Sequence, residues 1–164
     1  MLRYLYEFDL LNPDGSLADQ WEQKNIIPQN GVTYFAQAMF GDTTPIGTFY
    51  FGMFQNNFVP DSNTIAADLP TVAGEFLGYN ESTRPLWNRV FDGVGAISNS
   101  AARAELTCNV DQRVYGGFLV SNSAKGGNSG TLISIARFQT PRDVVAGQVI
   151  RARLTLNLIP AEVV

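Results

Sequence analysis

Histidine is absent from this sequence of 164 residues, and cysteine occurs once, at Cys108. Without histidine there is no Ser–His–Asp triad, no Cys–His pair and no histidine-ligated zinc or iron site. A single thiol closes no disulfide within the chain. Cys108 stands in an alternating strand pattern with no lysine beside it, so we expect a small buried residue and not a reactive thiol. These absences predict a protein that is not an enzyme and holds no cofactor or metal.

Charged residues are scarce as well, at 16% of the chain against roughly 25% in an average soluble protein. Disorder does not explain this deficit, because aromatic residues reach 12% and disordered chains have few. The 15 acidic and 11 basic residues give a formal charge of −4, which argues against direct nucleic-acid binding because phosphates attract a basic surface. A folded protein with few charges often covers part of its surface with a partner.

Long hydrophobic runs are also missing. The longest uncharged apolar run is far shorter than the roughly 20 residues that cross a bilayer. Arg3, Glu7 and Asp9 stand where a signal peptide has its apolar core. We therefore expect no membrane association and a protein made in a reducing cytoplasm, or assembled there into something larger.

The patterns that are present are mostly those of strands separated by turns. Alternation is clearest at 2–10 and 150–158. The pair Gly116-Gly117 inside a strand indicates a bulge or a close backbone approach. Residues 121–130 predict a mobile hairpin tip, because Lys125 precedes the glycines whereas a phosphate-binding loop has its lysine after them. Further strands are expected near 17–27, 47–54, 104–110, 114–120 and 131–138, with turns at 12–16 and 141–147.

One helix is predicted at about 31–40, between an N-cap at Asn30 and a stop at Gly41. We expect its Phe35 and Met39 stripe to pack onto a sheet. Since strands do not alternate with helices, parallel crossovers are not expected. The sequence predicts one mainly β domain over 1–164, an antiparallel β-sandwich or a jelly-roll-like barrel with one short α-helix.

Two acidic patterns resemble functional sites without meeting their requirements. The segment 61–63 with Asp68 offers oxygen ligands, but Ala66 stands where a calcium loop of the EF-hand type requires glycine. Glu7 and Asp9 share a strand face with Cα atoms about 6.6 Å apart, as in a glycosidase pair, yet nothing marks a cleft around them. We interpret the first pattern as a solvated loop and the second as surface charges. A bound calcium ion, or a metal-dependent hydrolase built on carboxylates, remains an alternative.

Candidate interface residues fall into two groups. The irregular segment 76–94 contains aromatic residues and arginines that anchor a protein interface, stack on sugar rings or close one end of the core. The polar side of the last strand carries arginines that face solvent or pair with acids of a neighbouring subunit and set its register. The predicted interface residues are Tyr79, Arg84, Trp87, Phe91, Arg151 and Arg153.

Most of residues 48–159 resemble small structural proteins of tailed bacteriophages. The resemblance rests on strand and turn patterns, of which the clearest are FYFGMF at 49–54, TRPLW at 83–87, YGGFLVS at 115–121 and GTLIS at 130–134. It implies a virion component such as a head decoration or cement protein, and a tail, neck or baseplate position is an alternative. The partners it implies are the major capsid protein or tail proteins, together with further copies of this chain in a symmetric homo-oligomer. A carbohydrate-binding receptor-recognition module that uses the aromatic residues of 76–94 is the other alternative.

Overall fold

The structure is a computed structural model that describes residues 2–158. Within this range the chain forms nine strands and one α-helix. In chain order they are β1 (Leu2–Leu11), β2 (Leu17–Lys24), α1 (Gln29–Phe40), β3 (Tyr50–Phe54), β4 (Val90–Phe91), β5 (Ala96–Ser98), β6 (Ala104–Thr107), β7 (Gln112–Val120), β8 (Leu132–Val144) and β9 (Val149–Leu158). No helix among the described residues is long and apolar enough to span a membrane.

The strands form two antiparallel sheets that pack as a β-sandwich. The first sheet has the order β2-β1-β9-β5-β4, with β6 also paired to β9, and the second has the order β3-β7-β8. Residues 2–158 form no closed barrel. The predicted fold class is therefore confirmed in its sandwich form.

The core is built on the inner face of β1, as the alternation predicts. Tyr4, Tyr6 and Phe8 are completely buried, because every second side chain of a strand points to the same face. The Phe8 ring lies 5.1 Å from that of Phe138 on β8, centroid to centroid, in an edge-to-face arrangement that joins the two sheets. Such aromatic pairs contribute roughly 0.5–1.5 kcal/mol beyond the area they bury.

The glycine pair of β7 lies where two strands approach closely. A Cβ atom on Gly116 would stand 2.2 Å from the carbonyl oxygen of Ala136 on β8 and 2.2 Å from the Phe54 ring. The pairing of β7 with β8 also shifts register between Val114 and Gly116. The predicted bulge and close approach are both confirmed.

Two predicted boundaries are wrong. β8 continues to Val144 through the expected turn at 141–147. Its ladder to β7 is interrupted between Arg137 and Arg142, so Pro141 lies where no backbone N–H is needed for pairing. The helix begins at Gln29 with Pro28 at the N-cap position and no side-chain cap.

Candidate protein-interaction surface

Three of the six predicted interface residues lie inside the molecule. Tyr79, Arg84 and Trp87 are at most 2% exposed, so they offer almost no outer surface to a partner, although Trp87 also lines a groove described below. The Trp87 indole N–H donates to the carbonyl oxygen of Leu154 at 3.0 Å, and its backbone N–H donates to Phe49 at 2.8 Å. The segment 76–94, to which Trp87 belongs, lies along the edge of β3, where Leu86 pairs with Tyr50, and it closes this end of the core. Their burial disagrees with exposed interface anchors and agrees with the alternative that this segment closes one end of the core.

Arg84 instead fastens the loop 121–130 to the core. Its guanidinium donates to both carboxylate oxygens of Glu75 at 2.8 and 2.7 Å and to the carbonyl oxygens of Asn122 and Gly127 at 2.8 Å each. The Lys125 ammonium donates to the carbonyl oxygen of Tyr79 at 2.6 Å. The loop that the sequence predicts as a mobile tip is thus anchored by a buried ion pair.

Arg151 and Arg153 lie on the outer face of the first sheet, as predicted. Each stands directly across from an acid of its own chain: Arg153 lies 3.2 Å from Glu7, and Arg151 lies 3.0 Å from Glu105. Asp9 forms an ion pair with Arg103, which precedes β6. Partly exposed pairs of this kind stabilise by roughly 0–1 kcal/mol each. A role of the two arginines in setting the register of a neighbouring subunit stays a prediction.

The acidic loop that resembles a calcium site satisfies backbone groups. An Asp61 carboxylate oxygen accepts from the Asn63 amide at 2.8 Å, and one of Asp68 accepts from the Ile65 amide at 2.9 Å. Among the described residues, no cluster of three or more His, Cys, Asp or Glu side chains is placed to hold a metal ion. Cys108 is 1% exposed, and burial raises the pKa of its thiol to about 11, which confirms the prediction of a buried residue.

Phe91 is the predicted interface aromatic that does lie on the surface, with 56% of its area exposed. It pairs with Ile97 on β5, Ile97 pairs with Leu156 on β9, and Leu156 pairs with Tyr4 on β1. Directly paired residues of neighbouring strands point to the same face. These four side chains therefore form an apolar row across the inner face of the first sheet, from the buried core to the exposed edge.

A groove of about 160 Å³ lies over this apolar row. Tyr34, Phe35 and Ala38 of α1 form one wall. Residues of the segment 45–49, which follows the helix, also line the groove. Tyr4, Ile97 and Leu156 line it from the sheet side. Its volume is close to the roughly 150 Å³ of a cavity that holds a benzene ring, so it accommodates one apolar side chain.

The outward face of α1 continues this apolar surface. Val32, Met39 and Phe40 are 47%, 64% and 86% exposed, and positions i, i+7 and i+8 lie on one side of a helix. The opposite side faces β8, where a Cβ atom on Gly31 would come within 3.0 Å of the Ile133 backbone. The expectation that Met39 packs onto a sheet is wrong, because the side of the helix that contacts β8 is the side that carries Gly31. We call Val32, Met39 and Phe40 the helix stripe.

Two polar groups in the groove are missed by sequence analysis. The Tyr4 hydroxyl is buried and has no hydrogen-bond partner among the described residues. Arg89 also lines the groove, and one of its N–H groups donates to the Gly47 carbonyl oxygen at 2.9 Å. Burial raises the pKa of Tyr4 well above its usual range, while the nearby Arg89 charge acts in the opposite direction. In sequence, Tyr4 is one of several inward strand residues and carries no further signal.

Comparison with protein-family models and with curated proteins gives no match to this chain. The helix stripe, the groove and Phe91 are the features of its surface with the clearest binding character.

Proposed function

We propose that this chain is a non-enzymatic structural protein of a tailed-bacteriophage virion, a decoration or cement protein that stabilises the assembled head through protein–protein contacts. The observation that carries the proposal is the apolar surface formed by the helix stripe, the groove and Phe91. Exposed apolar side chains grouped beside an apolar groove are typical of an interaction site on a folded domain. The resemblance of residues 48–159 to phage structural proteins supplies the setting.

The charge distribution supports binding through this surface. α1 contains no charged residue, whereas the acids and arginines on the outer face of the first sheet are paired within the chain. Apolar burial is then the main driving force, and full burial of a side chain such as Met39 or Phe40 contributes roughly 1.5–3 kcal/mol. Association itself is costly, so a shell that offers many equivalent sites, or a symmetric oligomer that binds several at once, suits a contact of this size.

Sugar recognition has little support from the structure. Tyr79 and Trp87 are buried, so their faces are closed to a sugar ring, and Phe91 alone of the three predicted stacking residues is exposed. A tail, neck or baseplate position uses the same apolar surface and is distinguished by where the protein lies in the particle.

The test is to locate and count the protein in purified virions that carry its gene. We expect gold-labelled antibodies to mark the head, and quantitative mass spectrometry to find many copies per particle. Label confined to the tail would overturn the decoration role, and absence from washed particles would overturn the virion role altogether.

A pair of matched variants links occupancy to the surface. Phe40→Ser removes the most exposed side chain of the helix stripe, at 86% exposure, and we expect it to lower particle occupancy about tenfold or more. Leu17→Ser is the control, because Leu17 is 56% exposed but lies at the opposite end of the first sheet, where β2 begins next to Leu11. Equal occupancy of the two variants would contradict the assignment of the surface.

A further inference from the structure

We propose that the groove between α1 and the first sheet receives an apolar side chain from a partner polypeptide together with an adjoining carboxylate, which the Tyr4 hydroxyl and the Arg89 guanidinium bind. The inference rests on the proposed function and deepens it, because it names the chemistry of the partner segment. Leucine or phenylalanine next to glutamate or aspartate is the kind of segment that fits.

The lining and the volume of the groove determine which apolar side chain of the partner fits. Its lining from α1 is Tyr34, Phe35 and Ala38, and from the sheet it is Ile97 and Leu156. A space of about 160 Å³ matches one phenyl or isobutyl group, since a cavity of roughly 150 Å³ holds benzene. A single anchoring side chain in a desolvated pocket is the usual form of an interface hot spot.

The Tyr4 hydroxyl calls for an acceptor. Tyr4 is 0% exposed, it lines the groove, and its hydroxyl has no hydrogen-bond partner among the described residues. An unpaired buried hydroxyl is destabilising because it has lost water without gaining a partner. The other fully buried tyrosine of β1 shows the contrast, since the Tyr6 hydroxyl donates to Ser134 at 2.7 Å. An oxygen atom of the bound segment would accept the hydrogen bond that the Tyr4 hydroxyl lacks within the described chain.

The positive charge of Arg89 favours an acceptor that is negatively charged. Six other arginines each pair with an acid within 3.2 Å, whereas Arg89 has no acidic partner among the described residues. Its guanidinium lies 5.7 Å from the Trp87 ring centre and 5.9 Å from that of Phe49, next to the groove. A guanidinium and a hydroxyl that belong to the lining of one groove favour a carboxylate over a neutral or cationic group.

The surroundings of the groove favour a polypeptide over a small free molecule. A ligand that fills only the groove leaves Met39, Phe40 and Phe91 exposed. A chain segment seated in the groove extends over both the helix stripe and the end of the apolar row. Charge complementarity at Arg89 and continuity with this apolar surface therefore point to the same occupant.

The test uses two short peptides, acetyl-Ser-Phe-Glu-Ser-amide and its Gln counterpart, titrated into the full chain and followed by ¹⁵N NMR. We expect the Glu peptide to bind at roughly millimolar concentration and to shift the backbone signals of Ile46, Arg89 and Ile97. The Gln peptide should bind about fivefold more weakly, because it lacks the charge. Equal affinities, shifts centred elsewhere, or no binding by either peptide at about 10 mM would overturn the inference.

Variants separate the two polar groups. Arg89→Gln should abolish the preference for Glu over Gln, and Tyr4→Phe should weaken binding of both peptides. Tyr4→Phe should also leave the melting temperature unchanged or raise it, because it removes only an unpaired hydroxyl; a marked loss of stability would show that the hydroxyl is already satisfied. Arg142→Gln is the matched control, since Arg142 pairs with Asp19 away from the groove, and its peptide affinities should equal those of the wild type.

The particle assay keeps this inference apart from the proposed function. Wild-type protein in virions together with full occupancy by Arg89→Gln would overturn the groove as the contact and leave the virion role standing. Absence of the wild type from virions would overturn the virion role, whatever the peptides show.

Discussion

Removal of the Arg84 side chain should destabilise the protein more than any other single loss of charge in the described chain. Arg84 and Glu75 are 0% and 1% exposed at their side chains, with a shortest contact of 2.7 Å. In Arg84→Met the Glu75 carboxylate stays buried with the Gly126 amide, at 3.0 Å, as its remaining donor. The carbonyl groups of Asn122 and Gly127 lose their charged donor as well.

The expected loss is about 3–5 kcal/mol, the usual effect of removing one partner of a buried pair. For a domain of this size, 1 kcal/mol moves the melting temperature by about 2–4 °C, so the midpoint should fall by roughly 6–20 °C. The double variant Glu75→Leu with Arg84→Met should recover much of this loss, because two apolar groups leave no buried charge behind.

Urea unfolding at pH 7, followed by tryptophan fluorescence, measures these differences. The control is Arg113→Met, because Arg113 makes the same two-point contact with Asp143, at 2.7 and 2.8 Å, on an exposed surface. We expect the control to be nearly as stable as the wild type. A loss in Arg84→Met that is no larger than the loss in Arg113→Met would refute the reasoning.

Three further predictions concern the core. Gly116→Ala should cost more than about 3 kcal/mol, since its Cβ would overlap a backbone oxygen at 2.2 Å. Native Cys108, with its pKa raised to about 11, should react with Ellman's reagent at pH 8 only as the protein unfolds. Burial raises the pKa values of Tyr4, Tyr6 and Tyr79, so the unfolding free energy should hold below about pH 9 and fall above about pH 10, by up to about 1.4 kcal/mol per pH unit for each tyrosine.

Each of these predictions has a matched control. Gly47→Ala should be tolerated, because nothing lies within 4 Å of the added Cβ. The same thiol reagent in denaturant gives the full reaction of Cys108, and a native rate equal to it would contradict burial. Absorbance at 295 nm reports ionised tyrosine, and ionisation of all six tyrosines near pH 10 without unfolding would contradict the pKa shifts.

The strands that sequence predicts best are those that bury one face along their whole length. β1 and β9 alternate apolar and polar residues, and they pair with each other from Leu2 with Leu158 to Leu11 with Val149. Because one face of each strand is buried, the period of two appears directly in the sequence. β5 is three residues long and only half-buried, so it leaves no such pattern.

Local sequence patterns do not predict the buried ion pair of Arg84 and Glu75. Arg84 and Glu75 stand in irregular sequence between two loops, where charged and aromatic residues are typical of a surface. Their burial arises because the segment after Arg84 lies along the edge of β3: the Phe51 N–H donates to the Pro85 carbonyl oxygen and the Trp87 N–H donates to that of Phe49, both at 2.8 Å. Contacts between distant segments of this kind depend on the assembled sandwich and leave no periodic signal.

The amphipathic pattern of α1 predicts the helix but not what its apolar face contacts. The spacing of Val32, Phe35, Met39 and Phe40 correctly predicts a helix with an apolar face. It does not say whether the partner of that face belongs to the same chain. Because Gly31 is the residue in close contact with β8, Met39 and Phe40 point outward. The apolar residues that the sequence pattern assigns to the core therefore lie on the surface. An apolar face that the fold leaves uncovered is what binding to another protein requires.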